Sequence, residues 1–358
     1  MNTARLRVLL LADSVAFHTE RFAGELRRQG CKVLVASLER GRLHHFYLKR
    51  RGPIRALHYL LAVRQVRQLI DRFRPDVINP HFASGYGFVA TLARADRSIP
   101  IVLNLWGSDV LIVPRKSFLH RFKTVRALRD ADFVTGDSEY LLSAARRLVT
   151  FENYSVIPWG IERAALKLRK TTYHYSRPLR IIIPRSHEPV YNNSFILRAL
   201  TSMVRDGRLQ LTFPAFGSLV ERFRREVDAL PKHSVHLYEK KARTEFLGFM
   251  AEHDVYLSAA RSDSSPASLI EAMALGLVPV AADIPGVREW LDRDSGYLYR
   301  EEDEQGLRDI IAQIFSHEDF CEQLRRSNLE AVKDRAIFEE NVGEQLRIML
   351  RTVRRRRA

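Results

Sequence analysis

Short runs centred on apolar pairs and triplets, separated by longer amphipathic stretches, recur along the whole chain. Residues 6–12, 32–37, 76–79, 101–105 and 132–135 are such runs. They are too short for helices, are rich in Val, Ile and Leu, and end at polar residues, so they predict buried strands. The pattern resumes at 179–183, 209–213, 234–237, 255–257, 278–281 and 296–299. Strands joined by helical crossovers run parallel, and two series of them predict an α/β chain of two doubly wound, Rossmann-like domains. Ligands of such sheets collect at the carboxyl ends of the strands. In the first series this points to the loops after Ala12, Asn79 and Leu105, where His18, His81 and Trp106 lie.

The most informative stretch is 263–286. Asp263 precedes Ser264, Ser265 and Pro266; Leu269, Ala272 and Met273 then repeat at helical spacing up to a stop at Gly276, and 278–282 reads as a buried strand. The two serines are expected to cap the helix, with Pro266 at its start. A helix that opens without a basic residue presents N–H groups and a positive dipole end, which favours an anion such as a diphosphate. Glu271, about two turns inside on this reading, is placed to accept from a pair of ribose hydroxyls. Its plainer alternative is a solvated helix acid.

An acid, seven residues and a second acid, followed by Ala272, Met273, Ala274, Gly276, Pro279 and Val280, resembles the donor-sugar motif of the family 4 retaining glycosyltransferases. The resemblance extends over nearly the whole chain and implies the GT-B architecture, two Rossmann-like domains facing across a cleft. It implies an acceptor-side domain over 1–162, entered from a hinge segment with Pro158, Gly160 and Glu162, and a linker over 163–177. A donor domain over 178–335 and a final helix over 336–358 that crosses back complete the expected organisation. The implied activity is retaining transfer of a sugar from a nucleotide-diphosphate sugar to a lipid-linked or polysaccharide acceptor, with no cofactor beyond the donor itself.

Site residues follow from the same resemblance. Asp263, where the family usually has Glu, is assigned to the donor sugar, and Glu271 to the ribose. Arg185 matches an arginine on the donor diphosphate, whereas Tyr191 stands where a lysine is usual. Asn192, Ser264 and Ser265 complete the donor set. His81 joins Arg185 and Asp263 as catalytic. Trp106 stands where much of the family has a histidine on the donor sugar, which leaves that role to His81, Asp109 or a backbone group. His18, Trp106, Gly107 and Asp109 are expected to line the acceptor cleft. No Gly-x-Gly-x-x-Gly follows the first strand, which argues against a nicotinamide enzyme.

Charge sharpens the picture. The chain carries +16 overall, and residues 1–177 hold 31 Lys and Arg against 14 Asp and Glu, while the remainder holds 27 against 28. A basic half beside a neutral one predicts that one domain meets a polyanion or an anionic membrane surface while the other does not. Phe118, Leu119, Phe122, Val125 and Leu128 fall on one helical face among six cations, the composition of an interfacial helix. Residues 40–51 form a second basic, aromatic stretch. No nucleic-acid module accompanies these patches, so nucleic acid is not an expected partner. Two cysteines make no disulfide framework, no metal-ligand spacing is present, and no run reaches the roughly 18–20 apolar residues of a membrane span. The expectation is a cytoplasmic protein, peripheral on the inner face of the cell membrane, with no metal site. A noncatalytic sugar-nucleotide or polysaccharide-binding subunit of the same fold is the rival reading.

Overall fold

A computed structural model of the chain describes residues 6–41, 46–48, 55–94, 98–171, 175 and 177–357, with the side chains of 55–60 excluded. The chain divides into two compact units, Met1–Trp159 with Glu339–Ala358, and Gly160–Phe338.

In the first unit, strands β1 (Arg7–Leu11), β2 (Lys32–Ser37), β3 (Phe46–Tyr47) and β4 (Val77–Pro80) pair in the order β3-β2-β1-β4. Strands β5 (Val102–Asn104), β6 (Phe133–Gly136) and β7 (Tyr154–Val156) form the order β5-β6-β7. Parallel bridges from Ile78 to Ile101 and from His81 to Asn104 join the two sets between β4 and β5. All pairings are parallel; Leu9 faces both Leu34 and Ile78. The helices are α1 (Phe17–Arg28), α2 (Arg55–Phe73), α3 (Phe88–Ala93), α4 (Ser108–Leu111), α5 (Phe118–Asp130) and α6 (Glu139–Arg146). Four of the five β1 residues are fully buried, as in a parallel strand covered on both faces. The core joins Leu9, Leu11, Ile78, Val89, Leu103, Leu128, Val134 and Leu142. The sequence pattern did not predict β3 or β7, and residues 42–45 and 49–51 of the second basic stretch lie outside the described residues.

The second unit carries β8 (Leu179–Ile182), β9 (Leu209–Pro214), β10 (Val235–Tyr238), β11 (Val255–Ser258), β12 (Val278–Ala282) and β13 (Tyr297–Tyr299). They form one parallel sheet in the order β10-β9-β8-β11-β12-β13. That order reverses between β8 and β11, the switch point at which such sheets bind ligands. Its helices are α7 (Asn193–Arg205), α8 (Val220–Val227), α9 (Arg243–Ala251), α10 (Ala267–Leu275), α11 (Pro285–Arg288), α12 (Glu304–Ser316) and α13 (Glu318–Arg335). Helix α7 buries Phe195, Ile196, Ala199, Leu200 and Met203 against the sheet while Arg198 stays exposed, the one-sided pattern of a crossover helix. Residues Arg163–Leu168, expected to be linker, form a 3-10 helix with Ala165 buried in this unit. Residues 172–174 and 176 lie outside the described residues.

The last helix, α14 (Phe338–Arg357), belongs to the first unit from Glu339 onward. Asn341 donates to the Pro158 carbonyl at 2.8 Å and Asn104 donates to Gln345 at 3.1 Å. Arg356 pairs with Asp132, just ahead of β6, and Arg357 with Asp76, just ahead of β4. Two of the four terminal arginines thus neutralise acids at strand starts.

Candidate functional site

Two side-chain clusters, one in each unit, gather the residues singled out by the sequence. In the second unit the loop after β8 meets the loop after β11. Their backbones are tied by Arg261 N donating to the Val190 carbonyl at 2.8 Å. Asn193 folds the first loop by donating to the Arg185 carbonyl at 2.8 Å. Asn192 just before it adopts a left-handed φ of 49°, a conformation asparagine tolerates. Across the loops Arg185 and Asp263 form an ion pair. The Arg185 guanidinium also lies over the Tyr191 ring, 4.7 Å from its centre. The residue standing where a lysine was expected therefore braces the arginine.

The α10 start differs in detail from the expectation. Pro266 is the N-cap, and no side chain caps the helix. Ser265 Oγ instead accepts from the Trp290 indole at 3.2 Å, which fixes the loop against α11. Because the helix begins at Ala267, Glu271 lies about one turn inside it, not two. Gly286 is obligatory here: a Cβ would sit 2.3 Å from the carbonyl oxygens of Asp263 and Ser264. Gly276 ends the helix with φ 82°, the left-handed stop that glycine takes most readily.

Glu271 is buried, and the sequence reading missed its partner. Arg243, at the start of α9, donates to Glu271 at 2.5 Å and to Glu162 at 3.1 Å. Burial works against the Arg243 charge, but Glu271 and Glu162 outweigh it and hold the guanidinium pKa above its usual value. Arg185 and Glu271 both act on the Tyr256 hydroxyl, which is buried and bonded to Ser268 at 3.1 Å. The cluster thus holds two arginines, Arg185 and Arg243, paired with the carboxylates of Asp263 and Glu271, and a pair of serines at a helix start. Such a set can face an anion, a sugar and a diol.

In the first unit His18, His81 and Trp106 do come together, joined by Trp159. His18 lies tilted by 34° against Trp159 with ring centres 4.8 Å apart, and His81 lies 5.7 Å from Trp106, with Phe22 5.1 Å from His81. Trp159, remote in sequence, lies in the segment whose resemblance implied a hinge, and no sequence signal placed it beside these rings. Burial, reinforced by His18, holds the His81 pKa down to about 3. Asp109 is fully buried; its carboxylate accepts from Ala83 N at 2.7 Å and Trp106 N at 3.0 Å. Burial pushes it up to about 6 against those donors and others from the backbone. It ties the His81 loop to the Trp106 loop, with Gly107 between them at φ 95°. Among the described residues no group of three His, Cys, Asp or Glu is arranged to hold a metal ion.

Helix α5 splits the face read from its sequence. Thr124, Ala127 and Leu128 turn inward, with Val125 half-buried. Phe118, Leu119 and Phe122 remain 84%, 57% and 49% exposed, with Ile112 beside them in sequence at 40%. Arg115, Lys116, Arg121 and Arg129 are exposed along the same segment. No helix among the described residues is long and apolar enough to cross a membrane.

Comparison with known proteins bears on the family and the fold. The Glycosyl transferase 4-like pattern matches residues 7–138, and that of Glycosyl transferases group 1 matches residues 167–330. The putative teichuronic acid biosynthesis glycosyltransferase TuaC of Bacillus subtilis is 26% identical over 262 residues, 68% of this chain and 62% of that protein, under two thirds of its length. The amylovoran biosynthesis glycosyltransferase AmsK of Erwinia amylovora is 26% identical over 332 residues, 87% of this chain and 78% of that one. Among solved structures, Anabaena HepE in complex with UDP superposes with a TM-score of 0.78 at 18% identity, covering 97% of this chain and 100% of that one. The sucrose-phosphate synthase of Thermosynechococcus elongatus gives 0.81 at 15%, covering 97% and 99%. At these identities the structural likeness concerns the fold.

Proposed function

Because the chain belongs to the family 4-like, group 1 glycosyltransferases of GT-B fold, we propose that it moves a sugar, with retention at the anomeric carbon, from a nucleoside diphosphate to a hydroxyl of a lipid-linked or polysaccharide acceptor. The observation that carries this reading is the meeting of Arg185, Tyr191, Asp263 and the α10 start at the switch point of the second sheet. Uridine is the proposed base, supported by the fold shared with a protein solved in complex with UDP-glucose.

Retaining transfer passes through an oxocarbenium-like centre while the diphosphate departs, so the site must hold negative charge on one side and sugar hydroxyls on the other. Arg185, braced by Tyr191, faces the diphosphate together with the α10 N-terminus. The diphosphate competes with Asp263 for the same guanidinium, and Asp263 exchanged out of that pair accepts from the donor sugar. Glu271, held by Arg243, accepts from the ribose. His81, His18 and Trp106 in the first unit serve the acceptor, with Asp109 fixing their loops.

The exposed apolar tip of α5 supports peripheral attachment to an anionic bilayer at the cytoplasmic face. Phenylalanines at an aqueous surface among cations suit the headgroup boundary, where apolar side chains insert and cations meet lipid phosphates. The test of transfer is incubation of the full chain with a panel of nucleotide sugars, read as release of nucleoside diphosphate. Turnover of a donor separates the enzyme from a noncatalytic binding subunit, which would bind a donor and leave it intact.

A further inference from the structure

Glu162 shares Arg243 with Glu271, yet the transfer chemistry gives it no task. It stands at the N-cap of the 3-10 helix Arg163–Leu168, and its side chain does not cap that helix. Its carboxylate goes to Arg243 instead, where Oε2 accepts from Nη2 at 3.1 Å and from Nε at 3.4 Å. The backbone just before it is pinned. Ile161 N donates to the Ala336 carbonyl and Phe338 N to the Ile161 carbonyl, both at 2.9 Å. Gly160 permits that approach with a φ of 68°, since a Cβ there would stand 2.4 Å from the Ala336 oxygen. Glu162 therefore meets the guanidinium from a fixed base.

The other side of Arg243 shows what this hold achieves. A guanidinium carries its N–H donors in a rigid planar fork, and its strongest pairing with a carboxylate is two parallel bonds that occupy both oxygens. Arg243 does not meet Glu271 in that way. Nη1 donates to Oε1 at 2.5 Å, and no described residue bonds Oε2. With its Nε–Nη2 edge on Glu162, the guanidinium plane is set so that Nη1 is the nitrogen presented to Glu271. Without Glu162 the flexible arginine stem can turn the fork onto Glu271 and close both oxygens. A carboxylate closed in that way has lost the acceptor that a diol needs.

We infer that Glu162 is a positioning residue for the donor: by holding the Nε–Nη2 edge of Arg243 it limits the arginine to one oxygen of Glu271 and keeps the other for the ribose diol. The inference rests on the assignment of Glu271 to the ribose under the proposed function. Glu162 does not itself touch the ribose, so its removal is read as a lost preference for the diol and not as lost binding of the diphosphate.

The test is calorimetric titration of the full chain and its variants with UDP, GDP and ADP, each beside its 2′,3′-dideoxy form, with melting temperature as the check of folding. The dideoxy form lacks both hydroxyls, so a variant that merely loosens the site weakens the two ligands alike and leaves their ratio unchanged. Wild type is expected to prefer the ribose form of at least one nucleotide by about 10-fold or more, the effect of a charged acceptor on the diol. Glu162→Ala should bring that ratio to within about twofold of unity. Glu162→Gln keeps the length and an oxygen that accepts from Nε and Nη2, so it should retain at least about half of the wild-type ratio. Glu162→Asp keeps the charge but is one methylene short, and should lose the preference as Ala does. The Gln and Asp variants decide the matter if Glu162→Ala does not fold. A preference that persists in Ala or Asp, or vanishes in Gln, overturns the inference and leaves the donor reading intact. Wild type that binds none of the three diphosphates, or binds each ribose and dideoxy pair alike, defeats the assignment of Glu271 to the ribose and the inference with it.

Discussion

Arg243→Met removes the guanidinium that Glu271 and Glu162 share while keeping an apolar stem of similar reach. The Glu271 side chain is only 6% exposed, so without Arg243 it becomes a buried carboxylate lacking its cation. Breaking such a pair from one side costs about 3–5 kcal/mol. Glu162 is 23% exposed and can hydrate, which places the expected loss at the lower end, about 3 kcal/mol. For a unit of this size that is a fall in melting temperature of roughly 6–12 °C. Glu271→Gln in the same background removes the stranded charge, so the double variant should regain more than about 1 kcal/mol relative to the sum of the two single losses. Denaturant unfolding of the four proteins gives the cycle directly. A loss under about 1 kcal/mol for Arg243→Met, or strict additivity in the double variant, would refute the view that Arg243 exists to hold Glu271 charged and in place.

Three further outcomes follow from named contacts. Tyr191→Phe should leave donor affinity within about twofold, whereas Tyr191→Ala, which removes the ring under Arg185, should weaken it by roughly 2–30-fold, a cation–π contribution of about 0.5–2 kcal/mol read by calorimetric titration. His253 is buried, bonded to Thr212 and the Phe249 carbonyl, and held down to about 4 chiefly by burial. The unfolded chain therefore binds its proton first as pH falls below about 6.5. Stability is full above that pH and is lost towards pH 4, by about 2 kcal/mol at pH 5, so His253→Gln should flatten urea-unfolding stability between pH 7.5 and 5 by that amount. Charge reversal of Arg121, Lys123 and Arg126 together should reduce affinity for anionic vesicles in co-sedimentation by at least roughly 100-fold, the loss of three cations at about 1 kcal/mol each, while reversal of Arg222, Arg224 and Arg225 should not; equal effects would remove α5 from the bilayer.

The parts of this structure that a sequence can carry are those set by local pattern. Eleven of the thirteen strands among the described residues lie within a residue or two of the apolar runs, because a strand buried on both faces must be apolar along its length. The other two escape for opposite reasons: β3 is only two residues inside a basic stretch, and β7 (Tyr154–Val156) is half-buried, so neither shows a run. Helix α10 was legible from Leu269, Ala272, Met273 and Gly276. Its first residue was not, because Ser265 has a choice between capping and the Trp290 indole that only the fold decides. Helix α5 has two apolar edges at the same spacing, and the sequence cannot say that Leu128 packs inward while Phe118 stays outside. Arg243 carries no motif, and Trp159 lies in a motif that says nothing of its ring contacts; each acquires meaning only from residues remote in sequence that the fold brings beside it.

The measurement that bears most directly on the central claim is steady-state transfer by the wild type, Arg185→Ala and Glu271→Gln, with the turned-over donor varied. In the proposed reaction Arg185 faces the charge that develops as the diphosphate leaves, so its removal should lower kcat by about 10²–10³. In the proposed reaction Glu271 holds the ribose equally before and during transfer, so Glu271→Gln should raise the donor KM by roughly 10–100-fold, from the about 1.5–3 kcal/mol of a charged hydrogen bond, with kcat changed much less. Wild-type turnover with that division between the two variants is the predicted result. Transfer by Arg185→Ala at the wild-type rate, or no nucleotide sugar consumed by the wild type, would contradict the account.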